Sequence, residues 1–264
     1  MKKQGLRSQT KLLAVGVIPA RLGSTRLPEK VLRDINGRPM IQHVWERAKR
    51  ARALSEVLVA CDDLRVLECV QSFGGKAVLT RKDHPNGTSR VAEIAAKNRA
   101  AIFVNIQGDE PMIHPRGIDA LVSAMRADAQ TKVATLGVRR NDRDDYLNPN
   151  VVKVICDRAG YALYFSRAPI PHDRSGAADA FDYVKHLGIY AYRRNFLLQF
   201  VRWPPGLLEK REQLEQLRIL EAGYKIRIVE TAYDSLSVDT ASDLNAVEKA
   251  LKKSMEQPEV VRNA

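Results

Sequence analysis

Cysteine is scarce in this chain. The three thiols, Cys61, Cys69 and Cys156, stand at spacings that make no metal-binding set, and an odd, scattered number reads as a reducing compartment rather than a disulfide framework. Long apolar runs are missing too. Nothing approaches the ~20 residues a membrane-crossing helix needs, so no membrane insertion is expected. The short run from Leu12 to Ile18 follows a few basic residues and reads as a first strand rather than a secretion signal, which leaves a cytoplasmic location. Glycine never clusters into G-x-G-x-x-G, and no Gly-Lys-Ser/Thr follows a strand, which excludes the dinucleotide fingerprint and the P-loop. None of the five histidines has zinc-ligand spacing, and no serine or cysteine nucleophile has a base at a recognisable spacing. Aromatic residues are only 6% and do not interleave with the cations. The formal charge of +12 therefore suits a polyanionic small substrate better than specific nucleic-acid binding.

What is present is an ordered alternation. With 45% apolar and 28% charged residues over 264 positions, the chain can bury a large core as one α/β domain or two small ones. Strand-like runs at 12–20, 57–61, 77–79 and 102–106 alternate with helical patterns that open at Pro39, about Asp63, Asn86 and about Pro115. This pattern predicts a parallel doubly wound sheet. Gly74-Gly75 ends one helix, and Asn36-Gly37 marks a tight turn. Then the alternation stops. Runs at 133–138, 151–156 and 161–165, with a further strand at 184–192, predict an antiparallel excursion. Helices are expected over about 193–202 and 207–222, a late strand at 225–229, and a terminal helix from Asp239 to about Lys253 whose start, Thr240-Ala241-Ser242-Asp243, has capping chemistry. The domain reading is a basic arm at 1–11, one domain at 12–253 with the antiparallel subregion at about 133–192, and a disordered tail at 254–264.

Open α/β sheets bind ligands beyond the carboxyl ends of their strands. Three such ends are polar here. The loop Arg21 to Lys30 combines one glycine, two hydroxyls and several cations; it reads as an anion cradle or as a solvated basic turn. Cys61-Asp62-Asp63 follows the second strand. Gln107-Gly108-Asp109-Glu110 follows the fourth, and Asp109 reads either as a helix or turn cap or as a Mg²⁺ ligand bridging to phosphate. Asp239 has the same two readings, with the cap favoured by position. On a helix spanning 207–222 the leucine stripe points away from Glu215, which can face a cleft or solvent, the solvated glutamate being favoured, and His186 reads as a structural strand histidine.

Taken together, the strings are specific. Ile18-Pro19-Ala20-Arg21, Ser24-Thr25-Arg26-Leu27-Pro28 with Lys30, Asp34-Ile35-Asn36-Gly37, Asp83-His84, Gly87-Thr88 and Asn105-Ile106-Gln107-Gly108-Asp109-Glu110-Pro111 recur in order. So do Asn148-Pro149-Asn150-Val151-Val152-Lys153, Tyr164-Phe165-Ser166-Arg167-Ala168-Pro169, His186-Leu187-Gly188-Ile189-Tyr190, Leu214-Glu215-Gln216-Leu217-Arg218 and Val238-Asp239-Thr240. Across about residues 12–250 the chain resembles the CMP-KDO synthetases, the 3-deoxy-manno-octulosonate (KDO) cytidylyltransferases.

The resemblance implies an α/β, Rossmann-like, three-layer αβα fold of nucleotide-diphospho-sugar transferase type, with a mixed, mostly parallel central sheet and a smaller antiparallel dimerisation excursion, hence a homodimer. It implies that CTP and KDO give CMP-KDO and pyrophosphate with Mg²⁺, for lipopolysaccharide biosynthesis. Arg21 and Lys30 then meet the triphosphate, with Arg26 close by at the phosphates or the sugar acid. Gly87, Thr88 and Arg90 stand near the cytosine. Asp109 and Asp239 hold Mg²⁺. Gln107, Arg167, His186, Tyr190, Glu215 and Gln216 line the sugar-acid pocket. Lys30, Arg21, Asp109 and Asp239 form the catalytic set. The chain departs from the pattern at Glu29, where glycine is common, at Asn86 and Ser89, and at His172. Lys185-His186 with Tyr233-Asp234-Ser235 resembles a branch that activates the 8-amino analogue of KDO, an alternative acceptor alongside other CMP-sugar-acid synthetase substrates. A CMP-sialate synthetase would leave Arg167, His186 and the Leu-Glu-Gln-Leu-Arg string unexplained. A metal-dependent glycosyltransferase would release no pyrophosphate from CTP.

Overall fold

A computed structural model of the chain describes residues 13–23, 27–174 and 182–256, the side chains of 254–256 excepted. The basic arm, Arg26 and most of the 174–180 loop lie outside the described residues. The first half runs β1 (Ala14–Ala20), a 3₁₀ turn (Lys30–Leu32), the hairpin β2 (Asp34–Ile35) and β3 (Arg38–Pro39), α1 (Met40–Lys49), β4 (Glu56–Cys61), α2 (Leu64–Ser72), β5 (Lys76–Leu79), α3 (Gly87–Lys97), β6 (Ile102–Asn105) and α4 (Pro115–Ala127). The second half runs β7 (Val133–Asn141), α5 (Arg143–Leu147), β8 (Lys153–Cys156), β9 (Ala162–Ser166), β10 (Asp182–Arg193), α6 (Arg194–Phe200), α7 (Leu207–Glu212), α8 (Leu217–Glu221), β11 (Arg227–Glu230) and α9 (Ala241–Glu256). No helix among the described residues is long and apolar enough to cross a membrane.

The central sheet has the order β11-β7-β10-β6-β1-β4-β5, in which only β10 opposes the rest; β8 and β9 continue from β10 as an antiparallel arm. The layering follows from the two-residue period of a strand. On β1, Ala14, Ile18 and Ala20 face a core built with α1, α2 and α4, through Ile41, Val44, Val66, Leu121 and Met125. Val15 and Val17 face the other way, into Val91, Ile94, Phe196, Leu197 and Leu217 of α3, α6 and α8. Both faces of the strand are covered, which explains its unbroken apolar run. A third, smaller cluster seats Val247 and Leu251 of α9 against Ile35 and Met40. It docks the C-terminal helix on the β2–β3 hairpin, whose turn residues Asn36 and Gly37 both have positive φ.

Two features depart from the expected elements. The single helix expected over 207–222 is two short helices, because Gln213 takes the left-handed conformation at φ 53° and closes α7. The strand expected at 184–192 runs for 12 residues and carries a register shift between Leu187 and Tyr190. The bulge lets one strand pair with β6 at its C-terminal end and with β8 near its start, and re-aims the side chains between them.

Candidate active site

The sequence runs β1, β4, β5 to one side, then returns through α3 to place β6 on the other side of β1. That reversal opens a crevice at the strand carboxyl ends. Three chain segments converge there around Pro19. A Cβ on Gly108 would meet the Pro19 carbonyl oxygen at 3.0 Å, and one on Gly87 would meet Pro19 Cγ at 3.0 Å. Glycine at both positions lets the loops after β1 and β6 and the start of α3 close on one another.

The crevice holds two adjoining cavities. The smaller, about 290 Å³, is walled by Arg21, Lys30, His84, Asn86, Gly87 and Arg90. Lys30 is delivered by the 3₁₀ turn. Its ammonium lies 2.6 Å from Asp109 Oδ2 and 2.9 Å from Asp239 Oδ1. Burial alone would depress this ammonium, but the two carboxylates override it, and the net shift is upward. The cap expected of Asp239 falls instead to Thr240 and Asp243: Thr240 Oγ1 accepts from the Asp243 amide, and the Asp243 carboxylate accepts from the amides of Asp239 and Thr240. The Asp239 side chain is thereby released toward Lys30, and the Val238 amide, bonded to the Asp109 carbonyl at 2.9 Å, ties the two acidic segments together.

Glu29, the residue before Lys30, has φ 55° and ψ 30°, the left-handed region glycine enters at no cost. Its carboxylate turns outward to Arg65 at 2.7 Å, and Arg65 is itself held by Asp63 at 3.1 Å. The departure at this position is thus a matter of backbone conformation, and its charge is directed away from the cradle. Arg90 is buried and already paired, with Asp62 at 2.9 Å and the Thr80 hydroxyl at 2.6 Å. Asp62 also accepts from the Leu22 amide at 3.2 Å, so it braces the first loop. Arg90 therefore shapes the wall more than it offers a free cation, whereas Arg21 is exposed at the mouth.

The larger cavity, about 700 Å³, shares Gln107, Asp109 and Asp239 with the first and is walled further by Arg167, Lys185, His186, Tyr190 and Gln216. The bulge in β10 presents His186 and Tyr190. Burial drives the His186 imidazole down to about 3, so it is neutral in the working range; its Nε2 lies 3.0 Å from the Thr135 hydroxyl. Among the described residues, the Tyr190 hydroxyl and Gln216 Nε2 are buried with no hydrogen-bond partner, a desolvation cost that a hydroxylated ligand would recover. Arg167 is anchored through the carbonyls of Glu212 (2.8 Å) and Pro149 (3.0 Å). Beneath it the buried Lys153 ammonium donates to the carbonyls of Arg167, Val151 and Asn148 at 2.6, 2.7 and 3.0 Å.

Glu215 corrects an expectation. The helix break turns it from solvent into the protein, where it lines neither cavity and accepts from Asn86 Nδ2 at 2.9 Å and the buried Thr88 hydroxyl at 2.7 Å. Two wall residues, His84 and Lys185, were given no site role by the sequence, though both stood in quoted strings. His84 bonds Glu93 at 2.8 Å, and Lys185 bonds Asp234 at 3.1 Å, with Arg140 on the same carboxylate. The Asp83-His84 string hinted at the first, and Lys185-His186 with Tyr233-Asp234-Ser235 at the second.

Glu110, on the larger cavity, is buried, and burial followed by the Asp109 charge raises its carboxyl to about 7. A raised carboxyl favours the fold while protonated, so this contribution is full below the usual range near 4.5 and is lost as pH rises through 7. The shift corresponds to roughly 3 kcal/mol. In EDTA, Glu110→Gln is expected to lose less stability than the parent between pH 5 and pH 8 in urea unfolding. Parallel profiles would remove Glu110 as the cause.

A cytidylyltransferase family model matches residues 15–226. The protein called 3-deoxy-manno-octulosonate cytidylyltransferase in Syntrophobacter fumaroxidans is 55% identical over 215 residues, covering 80% of this chain and 86% of that protein. Its namesake in Escherichia coli is 50% identical over 213 residues, covering 81% and 85%. A solved structure described as CMP:2-keto-3-deoxy-manno-octonic acid synthetase complexed with CTP superposes with a TM-score of 0.87 at 48% identity, covering 92% of this chain and 99% of that one. With that agreement over nearly the whole fold, the chain belongs to the cytidylyltransferase family, and within it to the 3-deoxy-manno-octulosonate cytidylyltransferases.

Proposed function

We propose that this chain couples CTP to KDO, giving CMP-KDO and pyrophosphate, and so activates the sugar acid for lipopolysaccharide biosynthesis. The observation that carries the reading is the pair of adjoining cavities with Gln107, Asp109 and Asp239 in their common wall. The smaller, with Arg21 and Lys30, suits a triphosphate. The larger, with Arg167 and the polar atoms of Tyr190 and Gln216 that have no partner among the described residues, suits a hydroxylated acid. The names of the relatives support both substrates.

Mg²⁺ fits the shared carboxylates. The Lys30 ammonium between Asp109 and Asp239 marks that pair as a collector of positive charge. No cluster of three or more His, Cys, Asp or Glu among the described residues forms a rival metal centre. Mg²⁺ asks for one or two carboxylates, with water and phosphate oxygens completing its shell. Asp109 and Asp239 would hold it, and when bound it neutralises charge growing on the phosphate oxygens.

The remaining work falls to the chain's own groups. The anomeric oxygen of KDO bonds to the α-phosphorus while the bond to the pyrophosphate oxygen breaks, and the hydroxyl proton leaves to solvent. Arg21 and Lys30 counter the phosphate charge, and Gly87 lets the backbone approach the nucleotide. Arg167 meets the sugar carboxylate, and neutral His186, Tyr190, Gln107 and Gln216 hold the hydroxyls. Fixing both partners in line accounts for much of the acceleration. The test is pyrophosphate release from CTP and Mg²⁺ with KDO, its 8-amino analogue or sialic acid. Release is expected with KDO. Release only with another acid would move the acceptor, and release with none would sink the reading.

A further inference from the structure

Three consecutive-turn residues, Gln213, Leu214 and Gln216, face the larger cavity, yet Glu215 in their midst points the other way. It lies between α7 and α8, and its carboxylate spans 129 positions of sequence to grip the start of α3. The partner side chains are not idle. Asn86 is the N-cap of α3, its Oδ1 accepting from the Ser89 amide at 2.9 Å, and it lines the smaller cavity with Gly87. Thr88 is buried and also accepts from Asn105 Nδ2 at 3.3 Å. On the far side, Arg218 donates to Glu215 at 2.9 Å and is held by Glu209 at 2.9 Å and the Trp203 carbonyl at 2.8 Å. The carboxylate is thus clamped between the 213–216 turn on the sugar-acid side and the helix end on the nucleotide side.

We propose that Glu215 is a positioning residue that couples the two cavities: a sugar acid seated against the 213–216 turn tightens nucleotide binding through the Glu215 clasp on Asn86 and Thr88. The inference rests on the proposed CTP and KDO reading. The mechanical reason is that a ligand restraining Gln216 restrains Glu215 by covalent adjacency, and the charge-assisted bonds at 2.7 and 2.9 Å carry that restraint to the segment walling the nucleotide. A site that is already ordered costs less to occupy, which makes the effect reciprocal.

The test uses full-length protein, Mg²⁺ and the α,β-methylene analogue of CTP, whose bond at the α-phosphorus cannot be cleaved. Its Kd is measured with and without saturating KDO. The parent is expected to bind the analogue at least about fivefold more tightly with KDO present, and the reverse titration must return the same ratio. In Asn86→Ser, which keeps a helix cap but loses the amide donor, and in Thr88→Val, the ratio is expected to fall toward one; Glu215→Gln should do the same. Neither Asn86 nor Thr88 lines the larger cavity, so a drop in their ratio cannot come from a lost sugar contact. A merely structural clasp would weaken the analogue equally in both conditions and keep the ratio. That result, or a parental ratio of one, overturns the inference while leaving the proposed reaction standing. A parent that binds neither ligand would overturn the reaction and the coupling together.

Discussion

Asp109→Asn is expected to cut turnover with CTP and KDO by about a hundred- to a thousandfold, with the circular dichroism spectrum unchanged. Asp239→Asn should do the same. Each carboxylate lies at the junction of the two cavities, within 3 Å of the one ammonium that joins them. Asparagine keeps the shape but removes the charge that, in the proposed reaction, would gather cations beside the α-phosphate. The two groups act as a unit, so the double variant should be little worse than either single one. The effect should fall on kcat more than on KM for CTP, because Arg21 and Lys30, the proposed phosphate partners, still line the smaller cavity in both variants. Near-normal turnover in either single variant would remove that residue from the reacting centre.

Lys153→Met is expected to destabilise the protein by about 3 kcal/mol. Two effects oppose each other. Methionine relieves the cost of burying an ammonium, which burial already pushes below its usual range. Against this, the carbonyls of Val151 and Arg167 lose the donor that the fully buried Lys153 supplies, while that of Asn148 keeps the Val151 amide at 3.1 Å. Each orphaned group costs about 1–3 kcal/mol, so the loss wins. For a chain of this size that lowers the thermal midpoint by roughly 6–12 °C. A second readout separates position from stability: KM for KDO should rise, since the same ammonium anchors the backbone under Arg167, while KM for CTP changes little. An unchanged midpoint would mean that water replaces the ammonium.

The three β-strand-end loops show how much of the site was legible before any coordinates. Arg21 and Lys30 after β1, and Gln107 and Asp109 after β6, follow from a strand-loop-helix pattern and the rule that ligands bind at strand carboxyl ends. Local chemistry marked these ends as candidates because each loop lies next to the strand that positions it, but it left a cradle or a solvated turn for the first and a cap or a metal ligand for Asp109, and the family resemblance chose between them. Asp239 was different. It stands 209 positions from Lys30, and residue spacing favoured a helix cap there. Its place at the site came from family resemblance and, in space, from α9 docking on the β2–β3 hairpin while Thr240 and Asp243 take over the capping. Glu29 also needed coordinates, since charge alone said nothing of a left-handed backbone.

By itself the amino-acid sequence determined the αβα layering, through strands apolar on both faces and helices with a single apolar stripe, and it determined which loops carry cations and carboxylates. Those properties depend on neighbours within a few residues. Tertiary structure alone decided that the 207–222 segment breaks at Gln213 and that Glu215 turns inward. It also decided that β10 bulges to present His186 and Tyr190, and that two cavities meet at Asp109 and Asp239. Each of these is settled by contacts between segments far apart in the chain, whose energies outweigh local preference and leave no periodic trace in the residues themselves.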